Sequence, residues 1–344
     1  MPVQTEDSLL LAFKHITACR AGVTQCDRGS SMAAVQGQRK DQGMSSPDIL
    51  TRAARPPDHV LRYGPRPDQF ADVRLPARSE EAESFFSATG DCPPEWPVVI
   101  FVHGGFWRSA FDRTHTGPLA EALAAAGFAV CAPEFRRTGQ PGGGWPGTFD
   151  DVALAVDALP GLVADVAGGR ADLRRVVVAG HSAGGHLALW AAGRGALPEG
   201  SRWPATRLAA AGVVSLAGVC DLRACFRLGL GGDAAGVLMG GGPDRCPDRY
   251  RSADPMALLP TGIPAWLVHG TADDRVPAEL SVSYADRARG AGDEAVCDLL
   301  AGCGHFEVID PLSGAWPAVL AAFRAAAGEA GAAGPGEAAL GSSR

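Results

Sequence analysis

The chain has 344 residues, 46% of them apolar and 20% charged, with a net charge of −7 and a pI near 5.6. That length suits one large α/β domain with a full core, and an acidic balance without a basic, aromatic-interleaved patch argues against a nucleic-acid partner. Nine cysteines, an odd number with no CxxC pair, argue against a disulfide framework or a zinc site and for a reducing cytoplasm.

Residues 1–43 show weak periodicity and no motif, and are expected to be a disordered extension; Met44 is an alternative start. Within them "SLLLAF" is too short for a signal core and follows Glu6 and Asp7 rather than a basic region. No apolar run anywhere approaches the ~20 residues of a membrane span, so no membrane association and a cytoplasmic location are expected.

From residue 44 to 328 β-rich runs alternate with Ala/Leu-rich stretches, the pattern of a mostly parallel sheet covered by helices on both faces. Strands are predicted at 69–75, 98–104, 127–133, 174–180, 208–218, 264–270 and 295–302, and helices at 117–127, 147–163, 183–193, 278–290 and 311–328. Thr148 is placed to cap the second helix, with Asp150 and Asp151 favouring the positive end of its dipole. Residues 219–263, rich in Gly, Pro, Asp and Arg, interrupt the alternation, and an excursion of about 45 residues in a compact domain reads as a lid or substrate loop. The Gly/Ala-rich residues 329–344 are expected to be a disordered tail.

The chemistry is carried by four short stretches. "HGGFW" (103–107) follows a predicted strand, and its glycines let backbone N–H groups of Gly104, Gly105 and Phe106 point at a developing negative charge. His103 is expected to fix this loop by hydrogen bonds. "GHSAG" (180–184) leaves one strand and opens one helix at once, which forces Ser182 into a strained turn flanked by small residues and exposes its hydroxyl at the helix N-terminus, beside the N–H of Ala183. A serine at its free pKa is a poor nucleophile and needs a base and an orienting acid. "HGTADDRVP" (269–277) supplies Asp273 or Asp274, and "GCGH" supplies His305, each at the end of a predicted strand.

In that order these stretches resemble the α/β-hydrolase superfamily, in particular its HGGxW branch of kynurenine formamidase-like and small-molecule esterase proteins, over roughly residues 58–328. The resemblance implies the α/β-hydrolase fold, a triad of Ser182, Asp273 and His305, and an oxyanion hole from Gly104, Gly105, Phe106 and Ala183. Its HGxxDxxVP pattern selects Asp273 over Asp274, leaving Asp274 a surface or loop-capping carboxylate and Asp221 a loop residue. It implies a small-molecule ester or amide as partner and neither cofactor nor metal; His181 and His186 make no metal-ligand pattern. Hydrolysis of a small carboxylic ester comes first, with an arylformamidase acting on N-formylkynurenine as the alternative, favoured by HGGFW and its Trp107. A dipeptidyl-type peptidase or a non-catalytic receptor on the same fold ranks lower. Trp107 is expected to bind substrate by stacking. Arg113 and His115 read first as a loop ion pair or helix cap and second as contacts for a charged substrate group, Cys303 as a small residue in a tight loop, and Trp145 either lines the pocket or packs under its own loop. The oligomeric state is not legible in the chain.

Overall fold

A computed structural model describes residues 47–77, 95–204 and 210–329, all within one unit, Gly43–Arg344. The expectations for residues 1–43, for 330–344 and for the first two residues of the strand at 208–218 lie outside the described residues. In chain order the strands are β1 (His59–Arg62), β2 (Phe70–Arg74), β3 (Trp96–Val102), β4 (Ala129–Pro133), β5 (Ala171–His181), β6 (Ala210–Leu216), β7 (Ala265–Gly270) and β8 (Ala295–Leu300). They form one eight-stranded sheet in the order β1-β2-β4-β3-β5-β6-β7-β8. The first two pairings are antiparallel and every other pairing is parallel.

The central strands are buried on both faces, which is why they read as unbroken apolar runs. In β3 and β5 alternate residues go to opposite layers. Val98, Ile100, Val102, Val176 and Val178 enter one core, while Val99, Phe101, Val177 and Ala179 enter the other. The helices that cover these faces are α1 (Gly117–Ala125), α2 (Gly147–Val166), α3 (Ala183–Ala192), α7 (Glu279–Gly290) and α8 (Trp316–Ala326). The excursion at 219–263 is mostly short helix: α4 (Leu222–Arg227), α5 (Ala234–Met239) and α6 (Pro247–Ala253).

Three local expectations are corrected. Thr148 does not cap α2, because the helix begins one residue earlier at Gly147 with Pro146 before it. Its hydroxyl instead donates to the Arg136 carbonyl at 2.6 Å and accepts from the Gly144 N–H at 3.0 Å. Asp151 is fully buried and grips the Arg136 guanidinium at 2.7 and 2.8 Å, so its charge answers a cation rather than the helix dipole. The last helix also starts later than predicted. Residues 307–309 form a 3-10 turn, and Trp316, followed by Pro317, opens the α-helix.

Candidate active site

Ser182 sits between β5 and α3 with φ 55° and ψ −118°, a conformation that costs a non-glycine residue on the order of 1 to 3 kcal/mol. The turn is held from outside. The Ser182 N–H donates to the Leu216 carbonyl at 2.9 Å, and the Ser182 carbonyl accepts from Val219 at 3.1 Å and His186 at 3.2 Å. A Cβ on Gly180 would lie 2.2 Å from the Gly184 carbonyl oxygen, so only glycine lets the strand and helix approach this closely.

The loop after β3 faces this turn. Gly105, Phe106 and Trp107 all have positive φ, at 108°, 48° and 56°, and two consecutive non-glycine residues there mark a strained segment imposed by its surroundings. The backbone N–H groups of Gly104, Gly105, Phe106 and Ala183 have no backbone acceptor among the described residues. His103 anchors the loop from below: Nε2 lies 3.1 Å from Glu134 Oε1, Nδ1 lies 2.9 Å from the Gly104 carbonyl, and the ring stacks on Phe135. Burial pushes the Glu134 carboxyl up, but His103 and Arg137 outweigh it and hold the group below the usual carboxylate range. Arg113 joins the same network through Asp72 and Glu134.

His305 follows β8, and its Nδ1 is 2.7 Å from Oδ2 of Asp273. Asp273 is buried in the turn after β7, where its Oδ1 also accepts the N–H groups of Arg275 and Val276, each at 2.8 Å. Burial raises the Asp273 carboxyl, yet the bonds from His269 and His305 prevail and carry it well below its ordinary value. The neighbouring Asp274 points away, with a 79% exposed side chain paired to Arg275. Asp221 caps α4 by accepting from Ala224 at 2.6 Å. His181 donates through Nε2 to the carbonyl of His305 at 2.9 Å, tying the serine turn to the loop that carries His305. Cys303 sits in that loop, where its carbonyl accepts the Ala272 N–H at 2.9 Å.

Ser182 and His305 line one pocket of about 220 Å³, together with Gly105 and His181. Neither Oγ of Ser182 nor Nε2 of His305 has a hydrogen-bond partner among the described residues. Phe106, Phe111, Phe306 and Leu50 make the wall apolar, and His115 and Arg275 add polar edges. His115 stays neutral, since burial and the neighbouring His103 lower it to about 4.

Trp107 does not stack against this space. It is 1% exposed, faces the core, and packs edge-on against His186 with ring centroids 5.1 Å apart. Its ring meets that of Phe106 edge-on, with centroids 6.4 Å apart, and Phe106 takes the wall position instead. Trp145 likewise packs under its own loop, against Phe149 and Trp203. The excursion 219–263 supplies no lining residue. It backs the wall: Arg108 donates to the Gly231 carbonyl, and a Cβ on Gly231 would meet the Phe106 ring at 2.7 Å. Leu50, Phe111, Arg275 and Phe306 were missed because nothing local marks them as pocket residues. Phe306 alone carries a hint, being next to His305. Among the described residues no group of three or more His, Cys, Asp or Glu is arranged to hold a metal ion, and no helix is long and apolar enough to cross a membrane.

The sheet order, the strained serine turn after β5, and an acid and a histidine at the ends of β7 and β8 define the α/β-hydrolase fold. Residues 89–287 match the BD-FAE family model. The chain belongs to the BD-FAE family. Solved structures with the same fold include a truncated carbohydrate esterase from gut microbiota, 19% identical over 83% of this chain and 99% of that one, with a TM-score of 0.61. Esterase B from Lactobacillus rhamnosis is 19% identical over 80% and 90%, TM-score 0.61. Esterase 2 from Thermogutta terrifontis is 21% identical over 76% and 90%, TM-score 0.55. Comparison with curated proteins finds no match.

Proposed function

We propose that this chain is a serine carboxylesterase that cleaves small esters through an acyl-enzyme, with Ser182 as nucleophile, His305 as base and Asp273 as its orienting acid. The observation that carries the reading is the pairing of a strained, unpartnered serine with a histidine in the same pocket whose other nitrogen is held at 2.7 Å by a buried carboxylate. Nε2 of His305 takes the Ser182 proton as Oγ attacks the ester carbonyl, and Asp273 stabilises the imidazolium. The tetrahedral oxyanion lies among the N–H groups of Gly104, Gly105, Phe106 and Ala183, where one such donor is worth about 3 kcal/mol. His305 returns the proton to the leaving alcohol, and water then attacks the acyl-enzyme with the same base.

A pocket of about 220 Å³ is below the usual drug-sized range and favours a short acyl group against Phe106, Phe111 and Phe306. The structural neighbours support the ester reading, since they are esterases and one form of the Thermogutta enzyme is phosphonylated by sarin. The arylformamidase alternative loses the Trp107 stacking surface that favoured it. Ser182→Ala tests the proposal: p-nitrophenyl acetate turnover and labelling by a fluorophosphonate should both disappear in a folded protein. Near wild-type turnover by that variant refutes it.

A further inference from the structure

Asp273 holds two histidines. His305 Nδ1 and His269 Nε2 lie 2.7 and 3.1 Å from the same oxygen, Oδ2. His269, at the end of β7, is completely buried, and its Nε2 also lies 3.0 Å from the Val276 carbonyl. Both neighbours of Nε2 are acceptors, so Nε2 carries the hydrogen and Nδ1 the lone pair. The lone pair accepts from the Ser281 hydroxyl of α7 at 2.7 Å, and Ser281 is in turn 3.6 Å from the Cys220 thiol. Both ring nitrogens of His269 and the Ser281 hydroxyl thus have partners within the core.

We propose that His269 is a positioning residue for the hydrolysis, acting through Asp273, and that Ser281 anchors its ring from the other side. This rests on the triad reading above. Four donors surround the carboxylate: two backbone N–H groups on Oδ1 and two imidazoles on Oδ2. The backbone pair sets the plane of the carboxylate, and His269 prevents Oδ2 from turning away from His305 when the imidazole moves between Ser182 and the leaving group. His269 also takes a share of the negative charge. Without it the charge concentrates on the His305 N–H and holds the imidazolium more firmly, so the acid limb of the rate profile moves to higher pH. Without the Ser281 hydroxyl, Nδ1 loses its donor and the ring loses the contact on its far side that keeps Nε2 aimed at Oδ2. The other titratable groups around these residues are His181, His115, Arg275, Cys220, Cys303 and Glu307, all unaltered in the variants below.

The experiment compares wild type, His269→Leu, His269→Gln and Ser281→Ala in the full chain with p-nitrophenyl acetate, measuring kcat, KM and the pH profile of kcat/KM. His269→Leu should lower kcat about tenfold to a hundredfold while KM stays within about twofold, with the acid limb displaced upward. His269→Gln keeps an N–H toward Asp273 and should recover most of the loss with the limb near its wild-type position. Ser281→Ala should shift the limb in the same direction as His269→Leu. A folded His269→Leu with wild-type kcat and an unmoved limb overturns the proposal, as does a Gln variant no better than Leu. If His269→Leu does not fold, wild-type profiles in both His269→Gln and Ser281→Ala, or a Gln variant as slow as Ser281→Ala, overturn it. A parallel Ser182→Ala assay separates the two readings: turnover surviving there removes the triad itself, whereas its loss beside an unaffected His269→Leu removes only the role of His269.

Discussion

Gly184 approaches the end of β3 so closely that a Cβ on it would sit 2.0 Å from the carbonyl oxygen of Val102. The obstacle is backbone on a central strand, which cannot swing aside as a side chain would. Gly184→Ala should therefore lower unfolding stability by about 3 kcal/mol or more and displace the Ser182 turn. Urea denaturation together with p-nitrophenyl acetate turnover checks this; a variant with wild-type values for both would contradict the tight-approach argument.

Truncation of the exposed wall should change selectivity with little effect on stability. Phe111 is 44% exposed, so Phe111→Ala removes pocket wall without opening the core. Wild type should prefer acetyl over octanoyl esters by well over tenfold in kcat/KM, because each methylene refused by an apolar pocket is worth ~1 to 3 kcal/mol. Phe111→Ala should narrow that ratio. A chain-length series of p-nitrophenyl esters measures it, and a wild-type preference for long chains would exclude the narrow pocket.

Trp107→Ala should behave in the opposite way. Removing a fully buried indole costs about 3 to 5 kcal/mol of stability, while the acetyl-to-octanoyl ratio stays close to wild type because Phe106 remains in the wall. Thermal melting and the same ester series separate the two effects. A large change in chain-length preference with an unaltered melting temperature would return Trp107 to the pocket.

The acid limb of catalysis should report a single proton. Asp273 is held below the ordinary carboxylate range and stays ionised as the pH falls, so the carboxylate of the pair adds no proton of its own to the acid limb. A plot of log kcat/KM against pH should rise with a slope of one and then level. A slope near two would mean that a second group titrates with the base.

Acid should also weaken the fold through its buried histidines. Burial lowers His186 and His115 to about 4, below the unfolded value, so on acidification the unfolded chain takes up protons that the folded chain refuses. The sign follows: this stability is complete above about pH 6.5 and is lost as pH falls toward 4, at roughly 2 to 3 kcal/mol per histidine by pH 4.5. Asp254, raised to about 7 by burial and by Asp221, works in the other direction over the same range, so the test is a difference. His186→Gln keeps a donor for the Ala253 carbonyl that now accepts from Nε2 at 2.9 Å. Its unfolding free energy should fall less between pH 7 and 4.5 than that of wild type. An identical fall in both would remove His186 from the account.

Much of the sheet was legible because its central strands are buried on both faces and therefore read as unbroken apolar runs. β1 was missed, having only four residues, three of them exposed, with no alternation to detect. The three short helices α4, α5 and α6 have six, six and seven residues, too few for a helical period to stand out among their Gly and Pro. Segment 219–263 was recognisable as an excursion, but its place behind Phe106 was not.

The sequence by itself determined the serine turn, since only small residues fit where β5 meets α3, and with the family resemblance it selected the order of Ser182, Asp273 and His305. These are local constraints, set by backbone sterics and by which residue types can exchange a proton. Tertiary structure alone decided the walls of the pocket. Leu50, Phe111, Arg275 and Phe306 come from four separate segments, and which of two adjacent aromatics faces the pocket depends on a backbone turn at Phe106 and Trp107. The same is true of His269, whose side chain gains its meaning from a carboxylate four residues later and a serine on a different helix. Side-chain direction and proximity across segments are products of packing, and packing has no signature in any single stretch of chain.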